Sequence, residues 1–547
     1  MHRFSAFVLM SFLVLTAAHS VESELIANGS FESATEAGKP DGWKLPANIS
    51  WESDGANHFV RLKSPQPGAN VLLFRSITIT PQIQALELSY KVRYVGIKRG
   101  KEKWFDGRIM LNFKDAAGSA CSPSPAHPSF NGTSADWKDR SQQFKVPAGA
   151  ATLELLFTLF NAESGQLDFD DISLHAIPVA IIDAAEAAAK EKEAARIAAL
   201  PKPKPKVAAP PADKLPKELH VVGNVIQNSA NETIWLQGLA IPSLEWSAGG
   251  DNILKSIEIG IIDWKSNCIR LPIREHFWAG TGPYQKDGGM QYRQTIDDAV
   301  NACASHGVYI VLDLHCFRAP KEIHAAFWKD LATRYKNHPA VLFELFNEPH
   351  DLSWDVWQNG GTVVDKKKST PKPGDVLAEN KETLTTFETI GIQKLIDAIR
   401  ETGAKNIVIP GGLDWSYDLS GILDGHALND RNGNGIVYSS HVYPWKSDWQ
   451  NKFVKAAGKY PLFLGEVGAE VEKLSFAPPE RQEDPYTWVP DMLGLIQKHK
   501  LNWTAWCFHP KSSPRVLKDW DYTPTAYWGE FVKQALAGKS FELKKLR

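Results

Sequence analysis

The sequence predicts a multidomain chain: an all-β sandwich, a helical and Pro/Lys-rich linker, and a (β/α)₈ barrel that takes the larger carboxyl-terminal part. Three observations carry this prediction. Residues 218–540 alternate short apolar runs with amphipathic stretches, as parallel strands joined by helices must. Residues 22–177 hold short alternating runs separated by Gly, Pro and Asn turns, with no convincing helix. Between them the composition shifts abruptly, and 547 residues exceed one ordinary domain.

At the start, Met1-His2-Arg3 is positive, Phe7–Leu15 is an apolar core too short to span a bilayer, and Ala18-His19-Ser20 supplies small residues for cleavage. Residues 1–20 are therefore expected to be a signal peptide, the alternative being an N-terminal anchor. Nothing else reaches membrane-spanning length. In the sandwich region, Leu86–Val92 and Leu153–Phe157 show the period of two that half-buried strands require. From Ile182 to about Leu200, Ala, Glu, Lys and Arg favour a solvated helix. Pro201–Lys206 and Pro210-Pro211 must then be extended, so residues 178–217 read as a spacer ending in a stalk.

After a hairpin near Val221–Ile234, eight strands are expected: 235–241, 267–272, 308–315, 340–346, 406–410, 435–441, 462–466 and 501–507. A barrel of this kind presents its active site at the carboxyl ends of its strands. Reading those ends in order gives Arg270, His315, Asn347-Glu348, Asp414-Trp415, His441 with Tyr443, Glu466 and Trp506. Two carboxylates facing one another across an acetal can cleave it. One protonates the leaving oxygen and the other attacks, or stabilises positive charge at, the anomeric carbon. Glu348 as the acid needs a dry or negatively charged setting that keeps its proton, whereas Glu466 must stay ionised beside Arg270 and Tyr443. A polar insertion, 359–380, follows strand four and is expected at the rim of the site.

The set of strand-end residues resembles glycoside hydrolase family 5, the cellulase-type retaining glycosidases, over the whole of 218–540. That resemblance implies Glu348 as general acid/base and Glu466 as nucleophile. It further implies Asn347 on the sugar 2-hydroxyl, His315 and His441 positioning sugar and carboxylates, and Trp506 flooring the −1 subsite. Trp415, Trp445, Trp246 and Trp278 are expected either at sugar subsites or in core and rim packing. Three departures from the family bear on substrate: Gln237 stands where Arg is frequent, Cys316 follows His315, and the 359–380 loop is unusual enough to narrow or lengthen the cleft.

The sandwich is similar to carbohydrate-binding jelly-roll modules. Its start, Glu24–Glu32 then Gly42-Trp43, its end, Leu167–Leu174, and Trp137 followed by Phe144–Gly149 carry the likeness. It implies either a structural calcium held by Glu32 with Asp170 or Asp171, or solvated acids at the sandwich edge. Trp43, Trp51 and Trp104 are candidates for a sugar platform or for packing.

A formal charge of −2 argues against nucleic acid or an anionic membrane as partner, and 19 Trp suit a polysaccharide. Five cysteines lack metal or framework spacing, so a disulfide pairing is left open. No nucleotide, flavin or catalytic-metal motif occurs, and no cofactor is expected. Oligomeric state is not encoded in any motif. The reading is an exported retaining endo-β-glycosidase acting on β-1,4-glucan. The alternatives are a β-mannanase or other β-glycanase, a non-catalytic carbohydrate-binding barrel, and an adhesion protein.

Overall fold

The computed structural model describes residues 24–36, 38–368, 382–475, 477 and 479–547. The expected signal peptide and residues 369–380 of the insertion lie outside them. The chain divides into two compact units, one ending at Arg196 and one beginning at Ile197.

The first unit holds two antiparallel sheets. One has five strands in the order Ile49–Asp54, Asn57–Lys63, Ser164–Ala176, Ala85–Lys98, Gly132–Lys145. The other has four, Ala69–Thr78, Thr152–Ala162, Gly107–Lys114, Ser129–Phe130. Alternation supplies the core: Leu62, Leu88, Leu111, Leu155, Phe157 and Phe169 are fully buried, and Gly107–Lys114 buries every second residue. On the polar face of the five-stranded sheet, buried Asp168 is clamped by Arg61 and Arg93, each 2.8–2.9 Å away. The expected helix is present as Val179–Ala198. It is solvated except at Ile182, and Lys145 pairs with its Asp183 and Glu186.

The Pro/Lys-rich stretch, expected as a stalk, is extended and mostly exposed, and it is tied down where its Lys-Pro run ends. The backbone N–H groups of Lys206 and Val207 both donate to Oδ1 of buried Asp298 (3.0 and 3.2 Å), and Asn301 donates to the Val207 carbonyl. Proline removes donors from the chain around it, so the few remaining N–H groups can be gathered by one carboxylate.

In the second unit we number the barrel strands β1 Gln237–Ala240, β2 Cys268–Ile273, β3 Tyr309–Leu314, β4 Val341–Phe346, β5 Val408–Pro410, β6 Tyr438–Val442, β7 Leu462–Val467 and β8 Asn502–Ala505. They form one parallel sheet in the order β5-β4-β3-β2-β1-β8-β7-β6, and parallel bridges Val408–Ile436 and Gly411–Ser439 bring its two edges together. β2, β3, β4, β6 and β7 are buried at every residue, because helices cover one face and side chains fill the other. The expected hairpin, Leu219–Val222 with Val225–Asn228, closes the amino end. Leu219 and Ile226 pack there with Val311, Leu342, Ile409 and Phe463. The described arms of the insertion, Gly361–Lys368 and Glu382–Thr389, pair as an antiparallel hairpin. All five cysteines are free thiols. Among the described residues no helix is long and apolar enough to cross a membrane.

Candidate active site

A cleft of about 520 Å³ opens at the carboxyl end of the barrel, and His315, Asn347, Glu348, Tyr443, Glu466 and Trp506 line it together. The strands deliver these side chains by ending there and by slipping register there. The β4–β5 ladder shifts between Glu344 and Phe346, and the β7 ladders shift on both sides of Gly465 and Glu466. Bulges re-aim side chains in this way. The Asn347 and Glu348 N–H groups then donate to the carbonyls of Leu314 and Cys316 (3.0 and 3.1 Å), which fixes the pair against the end of β3.

Arg270 is the hub beneath the cleft. Fully buried, it donates to Glu344 (2.6 Å), Glu466 (2.9 Å) and Asn347 Oδ1 (2.7 Å), and pairs with Asp313 at 3.0 Å. A buried guanidinium is stable only with its charge and its donors satisfied, and here several acceptors share that task. Tyr443 donates its hydroxyl to the other oxygen of Glu466. Burial works to raise the Glu466 pKa, but His441, Arg270 and His315, together with the Tyr443 hydrogen bond, hold it below the usual carboxylate value.

His441 lies between the two carboxylates, its Nδ1 3.0 Å from Glu348 and 3.6 Å from Glu466. One oxygen of each carboxylate and a ring nitrogen of His441 all fall within 4.8 Å of one another. Burial alone would discharge this ring; Glu466, Glu344 and Glu348 outweigh it and push its pKa up to about 9. His315 hydrogen-bonds Asp313 through Nδ1 (2.7 Å) and stacks on Trp506 with ring centres 5.5 Å apart. Asn347 Nδ2 is buried beside the cleft without an acceptor, an open donor where a hydroxyl could bind.

All eight expected residues therefore converge. Trp415 and Trp445 also line the cleft; Trp445 stacks on Tyr443 at 4.7 Å, and Trp415 on His350 at 4.4 Å. Asp414, Trp415 and Ser416 all have positive φ (54°, 59° and 56°), and Lys446 holds Asp414 at 2.9 Å. Such strain concentrates at functional sites. Trp246 is exposed, and Trp278 is a core residue bonded to Asp330.

Two buried carboxylates were not singled out in the sequence, Asp313 and Glu344. Both sit inside apolar strand runs, and an acid among continuous hydrophobes was the signal available. Burial raises the Asp313 pKa in spite of Arg270, whereas Arg270 and His441 overcome burial at Glu344 and bring it to about 2. Cys316 turns away from the cleft and donates to Glu275 at 3.0 Å. Glu275, Cys316 and His324 form a second group with ligand atoms within 4.8 Å, but His324 Nδ1 already accepts the Lys321 N–H (2.8 Å). Burial also keeps the Cys316 thiol protonated.

In the first unit, Glu32 bonds the His58 backbone and ring (2.6 and 2.8 Å), Asp171 pairs with Lys91 (2.8 Å), and Asp170 accepts from Asn57 (2.9 Å). Each of these acids thus has a protein partner of its own. Trp43 is buried, Trp51 is half-buried and bonded to the Phe31 carbonyl, and Trp104 is exposed.

The model of the cellulase family, glycosyl hydrolase family 5, matches residues 227–512, more than half of the chain. A cellulase of Thermoanaerobacterium sp. is 24% identical over 332 residues, covering 56% of this chain and 76% of that protein. Endoglucanase E-5 of Thermobifida fusca is 21% identical over 309 residues, covering 53% of this chain and 55% of that one. The chain thus spans little more than half the length of the second relative. Among solved structures, a beta-glucanase of Saccharophagus degradans in complex with cellotetraose aligns with a TM-score of 0.46 at 24% identity, covering 62% of this chain and 98% of that one.

Proposed function

The chain belongs to glycosyl hydrolase family 5, and from that premise we propose that it is an endo-acting, retaining β-glucanase that cuts β-1,4-linked glucan. The observation that carries retention is the short spacing of Glu348 and Glu466, whose nearest ligand oxygens fall within 4.8 Å. Retaining glycosidases place their carboxyl groups about 5–5.5 Å apart, and inverting ones about 6.5–9.5 Å to admit a water.

In this reading Glu466 attacks the anomeric carbon while Glu348 gives a proton to the departing glycosidic oxygen. A glycosyl ester forms on Glu466. Glu348, now a carboxylate, takes a proton from water, which attacks the same carbon and frees the sugar with its configuration retained. Arg270 and Tyr443 keep Glu466 ionised and aimed. The open Nδ2 of Asn347 suits the sugar 2-hydroxyl, and Trp506 offers its face to the sugar bound at −1. The relatives' names, cellulase and endoglucanase, support glucan as substrate. The residues expected as a leader, 1–20, support work outside the cytoplasm. The β-sandwich fits a jelly-roll carbohydrate-binding module that would keep the barrel near its polymer.

The test is hydrolysis of carboxymethyl cellulose, mixed-linkage glucan, glucomannan, mannan and xylan by wild type, Glu348→Gln and Glu466→Gln, with product anomers read by proton NMR. Cleavage of the glucans to β-anomers, abolished in both variants, is expected. Preference for mannan would move the substrate, and α-products would refute retention. Binding without any cleavage would leave a non-catalytic barrel.

A further inference from the structure

Glu344 belongs to no part of the reaction above, yet it is a fully buried anion directly beneath it. Its Oε2 accepts from Arg270 Nε (2.6 Å), and its Oε1 accepts from Ser439 Oγ (2.9 Å). Oε1 also lies 3.8 Å from Nε2 of His441, an ion-pair distance, and Nε2 makes no hydrogen bond. On the ring's other side, Nδ1 meets Glu348 and Glu466. The imidazole is thus flanked by carboxylates at both nitrogens. Gly465 makes this approach feasible, since a Cβ there would stand 2.8 Å from Glu344 Oε1 and 3.2 Å from His441 Nε2.

We propose that Glu344 is a positioning residue whose fixed carboxylate keeps His441 in its cationic form throughout the catalytic cycle. This rests on the proposed double displacement. The other two carboxyl groups facing the ring both change charge during that reaction. Glu466 loses its charge on becoming an ester, and Glu348 gains one on giving up its proton. Glu344 forms no bond to substrate, so it is the constant counter-charge. Its own charge is secured by Arg270, which also bonds Glu466, and by Ser439 on the strand that carries His441. The remaining charged groups around the ring act through these: Tyr443 bonds Glu466, and the His315–Asp313 pair sits across Arg270. Burial strips charge from an imidazole, so the ring's cationic state depends on these anions, which together hold it at about 9.

The experiment is an imidazole titration by NMR on histidine-labelled, ligand-free full-length protein, with the His441 signal assigned by its loss in His441→Asn. Alongside it, pH profiles of kcat and KM are measured for the same variants. Wild-type His441 is expected to titrate well above 6.5. Glu344→Gln should lower that titration by about one pH unit or more. Glu344→Asp, whose shorter carboxylate retreats from the ring, should give a smaller drop of the same sign. The alkaline limb of kcat should move with the titration while KM changes little. A purely structural role would cost folded protein and leave the titration in place.

A folded Glu344→Gln with an unmoved His441 titration would overturn the proposal. If that variant does not fold, an unmoved or raised titration in Glu344→Asp would overturn it equally. So would a wild-type His441 titrating at or below 6.5. Because the titration needs no substrate, absence of glucan cleavage would count against the proposed function and leave this result standing.

Discussion

Replacing Tyr443 with Phe removes one oxygen and little else. The ring's stack on Trp445 survives, and the change isolates the hydroxyl that donates to Glu466. A hydrogen bond to a charged acceptor contributes about 1.5–3 kcal/mol. About 1.4 kcal/mol is a tenfold change in rate, so kcat/KM should fall roughly 10- to 150-fold. The loss should not grow much beyond that, because Arg270 still holds the other oxygen of Glu466 at 2.9 Å. Burial keeps the Tyr443 hydroxyl protonated far above its usual range, so the penalty should be constant across the working pH.

The assay uses two substrates, a soluble β-glucan and 2,4-dinitrophenyl β-cellobioside. The aryl glycoside has a leaving group that needs no protonation, so its first step depends on Glu466 and hardly on Glu348. The fold-loss should therefore be the same on both. Thermal unfolding should shift by only about 2–4 °C, since one hydrogen bond is all that changes in a large unit. Unchanged kcat/KM on both substrates would refute the reasoning. A loss confined to the polymer would place Tyr443 at the leaving-group side instead.

Glu348→Gln should reverse that pattern: turnover of glucan falls by about 10²- to 10⁴-fold, while the dinitrophenolate burst from the aryl glycoside persists; a vanished burst would mean that Glu348 is not the acid. Gly465→Ala drives a methyl group to 2.8 Å from both Glu344 Oε1 and Ser439 Oγ, so it should cost roughly 1–3 kcal/mol in denaturant unfolding. An unaltered midpoint would show that these groups yield freely. For pH, the raised His441 value (about 9 against 6.5) means stability fully present below pH 6.5 and lost as pH climbs through about 9. The lowered Glu344 value (about 2 against 4.5) means stability present above pH 4.5 and lost as pH falls toward 2. Urea midpoints of wild type between pH 6 and 9.5 should therefore decline, and His441→Asn should flatten that decline.

Much of the site was legible because a parallel barrel puts chemistry where apolar runs stop. Glu348, Glu466 and His315 each close such a run, whereas Arg270 sits inside β2 with Leu271-Pro272-Ile273 still to follow. The register slips that aim Glu466 left no trace beyond Gly465. Asp313 and Glu344 were hidden for a different reason. They lie inside the runs, and only the partners the fold brings to them, Arg270 and Ser439 from other strands and His315 two residues on, show why an anion can stay there. For the Pro/Lys-rich stretch, composition reports what a segment can do unaided. It does not report that one carboxylate on a neighbouring helix collects two of its N–H groups.

That collecting carboxylate moves the natural starting point of the catalytic fragment. A chain trimmed to begin at residue 218 would still contain every strand of the barrel and every residue of the cleft. It would nevertheless expose the buried Asp298 with both of its backbone donors removed, when its Oδ2 already has no partner. It would also uncover Gly288, against which Ile197 rests. A fragment beginning at Ile197 keeps both contacts. Weak expression or early melting of the shorter piece would then report a stripped helix surface, and would say nothing about whether the sandwich is needed for catalysis.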